Sequence, residues 1–565
     1  MSIIFNADEN RNSPSDGTAG APGERDGDSR THAGHAPAAD GGHGASDRAL
    51  MVRAAGVVGG ATLLSRILGA VRDIVIATFF GTGMVSDAFL AAFRIPNLLR
   101  RLFGEGSLSI VFVPVYTDTL YQQGRGEADR LANSALRSAA LVLALVTLAG
   151  MAMAPWLVRL IAPGFSDVGE KFAITVDLTR TMFPYIFFVG MLALCMGILN
   201  VLGHFAAPAL APVFLNLAMI AAIGIGSLWT GSKAALAMWL AAGVTVGGAL
   251  QLGLQFPFMA KSGIHLRRPA PFWHPAFKRI AGMWVPVLFG TAVYQINSVV
   301  LTLLASLLPQ GSISYLYYAD RLVQFPLGIF GIATATAVLP TLARQSAARQ
   351  YEAVRQTFAH ALKLVLFITL PAMAGLIVMR EPIITLLFQR GAFDEHSMRL
   401  TASALLYYCM GLWAFAAIRI VLNVFYALQE TRTPVRAAVL SIAVNLLLGL
   451  ILMGPMQHDG LALALSLASI FNLGLLTAAL RRRLGALGGR GICVSAGKSA
   501  LCAAAMGVCV WAETLWLLPA AGKGIALLPG VAACALSGAF IFILLARAMK
   551  LAELQILVDS VRKKK

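Results

Sequence analysis

From about residue 55 the chain alternates long apolar runs with short polar breaks. Crossing a hydrocarbon core takes about 20 residues of helix. Fourteen runs reach that scale: 55–81, 85–117, 132–157, 173–200, 208–230, 234–260, 280–308, 312–343, 358–380, 401–428, 434–455, 460–481, 495–517 and 524–548. The fold class this predicts is an all-α polytopic membrane protein with 14 transmembrane helices. The second and eighth runs are long and carry Pro96 and Pro326. Broken helices are tolerated where they face protein or a wet cavity. Between runs nine and ten, residues 381–399 read as an amphipathic segment lying along the outer interface.

The pattern repeats. Leu199-Asn200-Val201 precedes Pro208 and Asn216, as Leu422-Asn423-Val424 precedes Pro434 and Asn445. Runs 1–6 and 7–12 therefore read as two copies of a six-helix unit in the same orientation, a parallel repeat. The expected organisation is a disordered cytoplasmic tail over 1–49, an N-lobe over 50–262 and a C-lobe over 263–484. Residues 485–565 add the last two helices and a basic C-terminal tail. Two such lobes are expected to flank a central cationic cavity.

Composition agrees with the pattern: 58% of the 565 residues are hydrophobic and 13% are charged. The net charge of +18 changes the picture only in its distribution. Lys and Arg crowd the loops on one side, as at Arg125, Arg130, Lys261, Arg344 and Arg481–Arg483, and are sparse on the other, as at Arg159, Lys171 and Lys233. By the positive-inside rule both termini are cytoplasmic, and the basic balance does not point to nucleic acid. The six cysteines form no CxxC pair, and no histidine has metal-ligand spacing. No metal or cofactor is expected. The one DxD, Asp26-Gly-Asp28, sits in the tail. A membrane glycosyltransferase would need a base and a metal-binding carboxylate pair in an exposed loop, so this rival class is disfavoured.

What remains is charge at membrane depth. Residues 65–116 carry Arg66, Arg72, Asp73, Asp87, Arg94, Arg100, Arg101 and Glu105. Such groups cost about 2.5–3.5 kcal/mol each on insertion scales. Ser65 and Arg72 are seven apart, as are Arg66 and Asp73, so each pair shares a helical face. Asp320-Arg321 lies in run eight and Arg419 in run ten. Arg72, Arg100 and Arg321 come from both lobes and are expected to converge on an anion, because the planar guanidinium bonds two oxygens at once and keeps its charge. The alternative is pairing with Asp73, Asp87, Glu105 and Asp320. Gly104-Glu105-Gly106, Pro96 and Pro326 read as hinge or gating positions.

The chain resembles the MurJ (MviN) lipid II flippases of the MOP exporter superfamily. The carriers are Ser65-Arg66-Ile67-Leu68-Gly69 with Arg72-Asp73, Ser86-Asp87-Ala88-Phe89, Pro96-Asn97-Leu98-Leu99-Arg100-Arg101, Gly104-Glu105-Gly106 and Tyr317-Tyr318-Ala319-Asp320-Arg321-Leu322. The resemblance implies a flippase that moves lipid II, a polyprenyl pyrophosphate glycopeptide, across the bacterial cytoplasmic membrane by alternating access. It implies transport without catalysis, and cell-wall synthesis machinery as an expected partner. Arg72, Arg100 and Arg321 match the family's cavity arginines, and Ser65, Arg66, Asp87 and Ser314 fall on its functional positions. Arg101 joins the substrate-binding set. Another MOP exporter, a polysaccharide-lipid flippase or a multidrug or ion antiporter, is the alternative. A sodium site of the kind some members carry is not expected, since 282–319 and 435–458 hold no Asp or Glu.

Overall fold

The computed structural model describes residues 43–102, 108–264, 271–518 and 524–562. By its contacts the chain divides into Met1–Arg53 and Ala54–Lys565. In the first unit the described residues, from His43, are helical. The expected tail, up to residue 42, lies outside the described residues, and Asp26-Gly-Asp28 lies there with it.

Every apolar run is helical. The first is α1 (His43–Phe80), and the second is divided into α2 (Met84–Leu102) and α3 (Leu108–Gln122). α4 (Arg125–Ala152) with α5 (Ala154–Ile161) forms the third, and α6 (Gly169–Met182) with α7 (Tyr185–Val201) the fourth. α8 (Ala206–Trp229), α9 (Lys233–Lys261) and α10 (Ala276–Ser306) follow singly. The eighth run is α11 (Ser312–Pro326), a π-helical stretch (Leu327–Gly331) and α12 (Ile332–Ala347). Then come α13 (Tyr351–Val378), the short α14 (Arg380–Phe388), α15 (Glu395–Cys409) and α16 (Leu412–Ala427). Runs eleven and twelve are one element, α17 (Arg432–Leu484), interrupted at Gln457 with φ 50° and ψ −130°. α18 (Gly489–Leu517), α19 (Leu528–Ala548) and α20 (Ala552–Arg562) complete the chain. Among the described residues there is no strand.

Eight helical segments are, each by itself, long and apolar enough to cross a membrane, and α15 with α16, bent by 43°, makes a ninth. Helices α1, α2 and α11 are not among these segments; α2 carries Asp87, Arg94, Arg100 and Arg101, and α11 has only 15 residues. They are also the helices that build the site.

Two asparagines tie helices together within each half of the chain. Asn216 on α8 donates to the Ser65 carbonyl of α1 at 3.1 Å. Asn445 on α17 donates to Asn297 of α10 at 2.9 Å. Each bond satisfies a polar group that lipid would leave bare.

One end of the bundle is sealed where the two halves of the chain meet. The Ala392 amide donates to the Thr78 carbonyl at 2.8 Å, and the Thr82 and Ser397 hydroxyls lie 2.6 Å apart. The segment 381–399, expected on the interface, buries its apolar side in the bundle and leaves Glu381, Asp394, Glu395 and Arg399 exposed. Phe388 and Phe393 are buried against Tyr318, with ring centroids at 5.0 and 5.5 Å. A positive φ of 55° at Gly391 makes the turn that brings this about. Asp394 caps α15, and the Ser397 hydroxyl and amide that it accepts hold its carboxyl below the usual range.

Gly81 is the tightest point of the seal. Its φ is 64°, and a Cβ there would run into the Ala392 carbonyl. Gly81→Ala should therefore lose about 1–3 kcal/mol of stability, the scale of a strained left-handed residue. Thermal unfolding of the purified protein measures this, and an unchanged midpoint would contradict it.

Candidate functional site

The site begins with two adjacent residues of α1. Arg72 and Asp73 are both buried, at 8% and 5% exposure. Arg72 donates from Nε (3.0 Å) and Nη2 (2.7 Å) to Asp73 Oδ1. Its Nη1 donates to Asn216 Oδ1 at 3.0 Å. The planar fork is thus fully engaged inside the first half of the chain.

Arg321 approaches the same carboxylate from α11. Its Nε lies 3.1 Å from Asp73 Oδ2. Its Nη2 donates to the Tyr317 hydroxyl at 2.8 Å, and that hydroxyl donates to Asp73 Oδ1 at 3.1 Å. The guanidinium also lies over the Tyr317 ring, 4.7 Å from the centroid. One carboxylate therefore serves two guanidinium groups and a phenol. With Asp320 and Arg94 of the adjoining cavity wall counted, three guanidinium groups (Arg72, Arg94, Arg321) stand against two carboxylates (Asp73, Asp320), a surplus of one positive charge where the halves face each other.

Arg321 differs from Arg72 in access. Its side chain keeps 37% exposure and lines a cavity of about 250 Å³ between α2, α10, α11 and Leu465 of α17. Arg94, Asn97, Asn297, Thr302, Asp320 and Gln324 share that wall. Arg94 Nε donates to Thr302 at 2.9 Å. The wall also carries apolar residues, among them Leu90, Phe93 and Leu301.

The expected residues separate into groups. Arg72 and Arg321 come together on Asp73, whereas only Arg321 lines the cavity. Arg100 lies one turn beyond the wall and donates to Asn97 Oδ1 at 3.1 and 3.2 Å. Ser65 contributes its carbonyl to Asn216. Arg66 is exposed and extends to Gly328, where a Cβ would stand 2.8 Å from its Nη1. Pro96 is buried inside α2, and Pro326 is buried at the end of α11, directly before the π-helical stretch. Gly104, Glu105 and Gly106 lie outside the described residues, as does the Arg101 side chain.

Asp87 and Ser314 form a second cluster, in the seal. Asp87 Oδ2 accepts from the Gly311 amide at 2.7 Å, and Oδ1 accepts from the Ser314 amide (3.0 Å) and hydroxyl (2.7 Å). The Ser314 hydroxyl also lies 3.1 Å from that of Ser86. Gly311 is the N-cap of α11 and no side chain of that helix caps it. Asp87 of α2 supplies the cap from the other half of the chain. Helix starts leave N–H groups unsatisfied and carry partial positive charge, so a carboxylate fits there.

Sequence reasoning assigned no site role to four contributors. Arg94 was read only as one of the charges at membrane depth. Asn97 entered only as part of a family motif, and Thr302 carried no signal beyond being polar in a span. Lys171 was read as a loop cation, yet it is 7% exposed and bonds Asp87. Among the described residues no group of His, Cys, Asp and Glu could hold a metal ion.

A family model described as lipid II flippase MurJ matches residues 76–531. The "Probable lipid II flippase MurJ" of Rhizobium tropici is 38% identical over 427 residues, 75% of this chain and 80% of that one. A solved structure of lipid II flippase MurJ in an inward closed conformation superposes with a TM-score of 0.72 at 25% identity. It covers 87% of this chain and 98% of the other. An inward-facing multidrug resistance MATE transporter of the MOP superfamily has a TM-score of 0.62 over 75% of this chain and 96% of its own. At 15% identity that likeness concerns the fold alone.

Proposed function

The chain belongs to the MurJ family of lipid II flippases, and from that premise we propose that Arg321, with Arg72 behind it, receives the pyrophosphate of lipid II. The chain moves this lipid across the bacterial inner membrane. The observation that carries the site reading is the Arg72–Asp73–Arg321 network beside the cavity. Arg72 and Arg321 share Asp73, and Arg94 on the cavity wall leaves the cluster one positive charge in surplus over Asp73 and Asp320, which an incoming phosphate would neutralise. Arg94 and Arg100 extend the positive face along α2.

In this reading residues 50–262 and 263–484 act as lobes, fourteen helices cross the membrane, and both termini are cytoplasmic. The sealed end then faces outward, and the headgroup enters the cavity from the inside while the polyprenyl tail stays in lipid. The lobes rock about the breaks at Pro96 and Pro326. Each net charge that crosses gains or loses about 2.3 kcal/mol per 100 mV, so the membrane potential biases the cycle. Ser65, Arg66 and Arg101 stand near the entrance, and partners in cell-wall synthesis would take the lipid on the far side.

The test is depletion in living cells followed by measurement of the leaflet that lipid II occupies. Lipid II should accumulate in the inner leaflet and reach the outer one again on re-expression. Unchanged distribution on depletion would defeat the assignment.

A further inference from the structure

Lys171 is a buried cation that the transport reading leaves without a task. It stands in the first turn of α6, 7% exposed. Its ammonium lies 3.1 Å from Asp87 Oδ2 and 4.0 Å from the centre of the Phe165 ring. Phe165 belongs to the short turn Pro163–Phe165, itself pressed on the other half of the chain: the Gly164 amide donates to Ser306 at 3.3 Å. The lysine therefore sits between two contacts that join the halves.

Asp87 makes two kinds of bond. Three hydrogen bonds go across the seal to Gly311 and Ser314 of α11. The ion pair with Lys171 stays within the first half of the chain, between α2 and α6. When the seal opens, the bonds to α11 break and the pair travels with Asp87. When the seal closes, Asp87 is again buried at 1% exposure. A carboxylate at that depth is costly to bury without a cation. The ion pair with Lys171 offsets that cost and fixes the carboxylate where it faces the Gly311 and Ser314 donors of α11.

We propose that Lys171 is a positioning residue for the seal: it holds the Asp87 carboxylate aimed at the start of α11, and so sets how readily that end opens. This rests on the alternating-access reading, but its test needs no lipid II. The full chain is used in lipid nanodiscs, with the exposed Cys493 and Cys509 replaced by serine and a reporter thiol placed by Ser397→Cys. Ser397 is 4% exposed in the sealed end. The readout is its rate of reaction with a water-soluble maleimide.

Lys171→Met removes the charge at similar length, and breaking one side of a buried pair should speed labelling more than about tenfold. Lys171→Arg should stay within about twofold of the parent, because the charge is kept. The double variant Asp87→Asn with Lys171→Met leaves no lone charge and should label more slowly than Lys171→Met alone. A purely packing role predicts the reverse order, with Met tolerated and Arg disruptive. Parent-like labelling of Lys171→Met, failure of Arg to rescue, or a double variant no slower than the single would each overturn the proposal. If Lys171→Met fails to fold, Lys171→Gln takes its place: parent-like labelling of Lys171→Gln, or Lys171→Arg labelling as fast as Lys171→Gln, overturns the proposal. A flippase that failed to move lipid II would leave this labelling pattern untouched.

Discussion

Replacing Arg321 by alanine should lower the flipping rate about 100-fold while leaving the protein folded and inserted, since hydrogen bonds to charged groups contribute about 1.5–3 kcal/mol each and a phosphate takes two. Folding should survive because Asp73 keeps Arg72 as its partner at 2.7 Å. Arg321 is the cation that both lines the cavity and touches Asp73, so its loss removes the docking group and leaves the buried pair intact. Lys at this position keeps the charge but loses the fork. Arg321→Lys should therefore fall between, about tenfold down. Reconstituted flipping of lipid II measures both, with inorganic pyrophosphate binding to the purified protein as the separate readout. Full-rate flipping by the alanine variant would remove Arg321 from the site.

The opposite change should be as informative. Asp73→Asn leaves two guanidinium groups without their carboxylate. Removing one partner from a buried ion pair costs about 3–5 kcal/mol, so the unliganded variant should unfold at a markedly lower temperature. It should also bind pyrophosphate about tenfold more tightly, because no internal anion competes for Arg321 and Tyr317. Ligand binding to the folded state raises stability in proportion to the logarithm of concentration over affinity. Pyrophosphate should then rescue the thermal midpoint of Asp73→Asn more than that of the parent. Flipping should slow even so, because the lipid is held too firmly to leave. Equal pyrophosphate affinity in variant and parent would show that Asp73 does not gate the arginines.

These two residues were readable in the sequence, and the reason is physical. A charge inside an apolar run stands out because lipid penalises it, and seven-residue spacing fixes its face. The same signal marked Arg72, Arg100 and Asp87, and the apolar runs marked the long helices, though not the short α14 and α20. The limits are as clear. Lys171 lies just before an apolar run, where a solvated loop lysine looks the same; only packing against α2 and Phe165 reveals it. The bond between Arg72 and Asn216 joins residues 144 apart, which no periodicity encodes. The segment around Phe388 and Phe393 has the alternation of an interfacial helix, and only the turn at Gly391 directs its rings inward. Arg94 was visible as a charge, but its place in the cavity wall depends on α10 approaching α2.

The π-helical stretch at Leu327–Gly331 has its own consequence. Wider turns leave one residue more per turn than an α-helix, so the register of side chains slips between α11 and α12. Above the slip, α11 presents Tyr317 and Arg321 to the opposite half. Below it, α12 lies along α16, where Asn423 bonds the Ala335 carbonyl at 2.6 Å. A turn of α11 about its axis at this slip would carry Arg321 past Asp73 and leave α12 engaged with its neighbour. Backbone amides on either side of Gly331 should accordingly exchange with deuterium at two different rates, and substrate should slow only the α11 side.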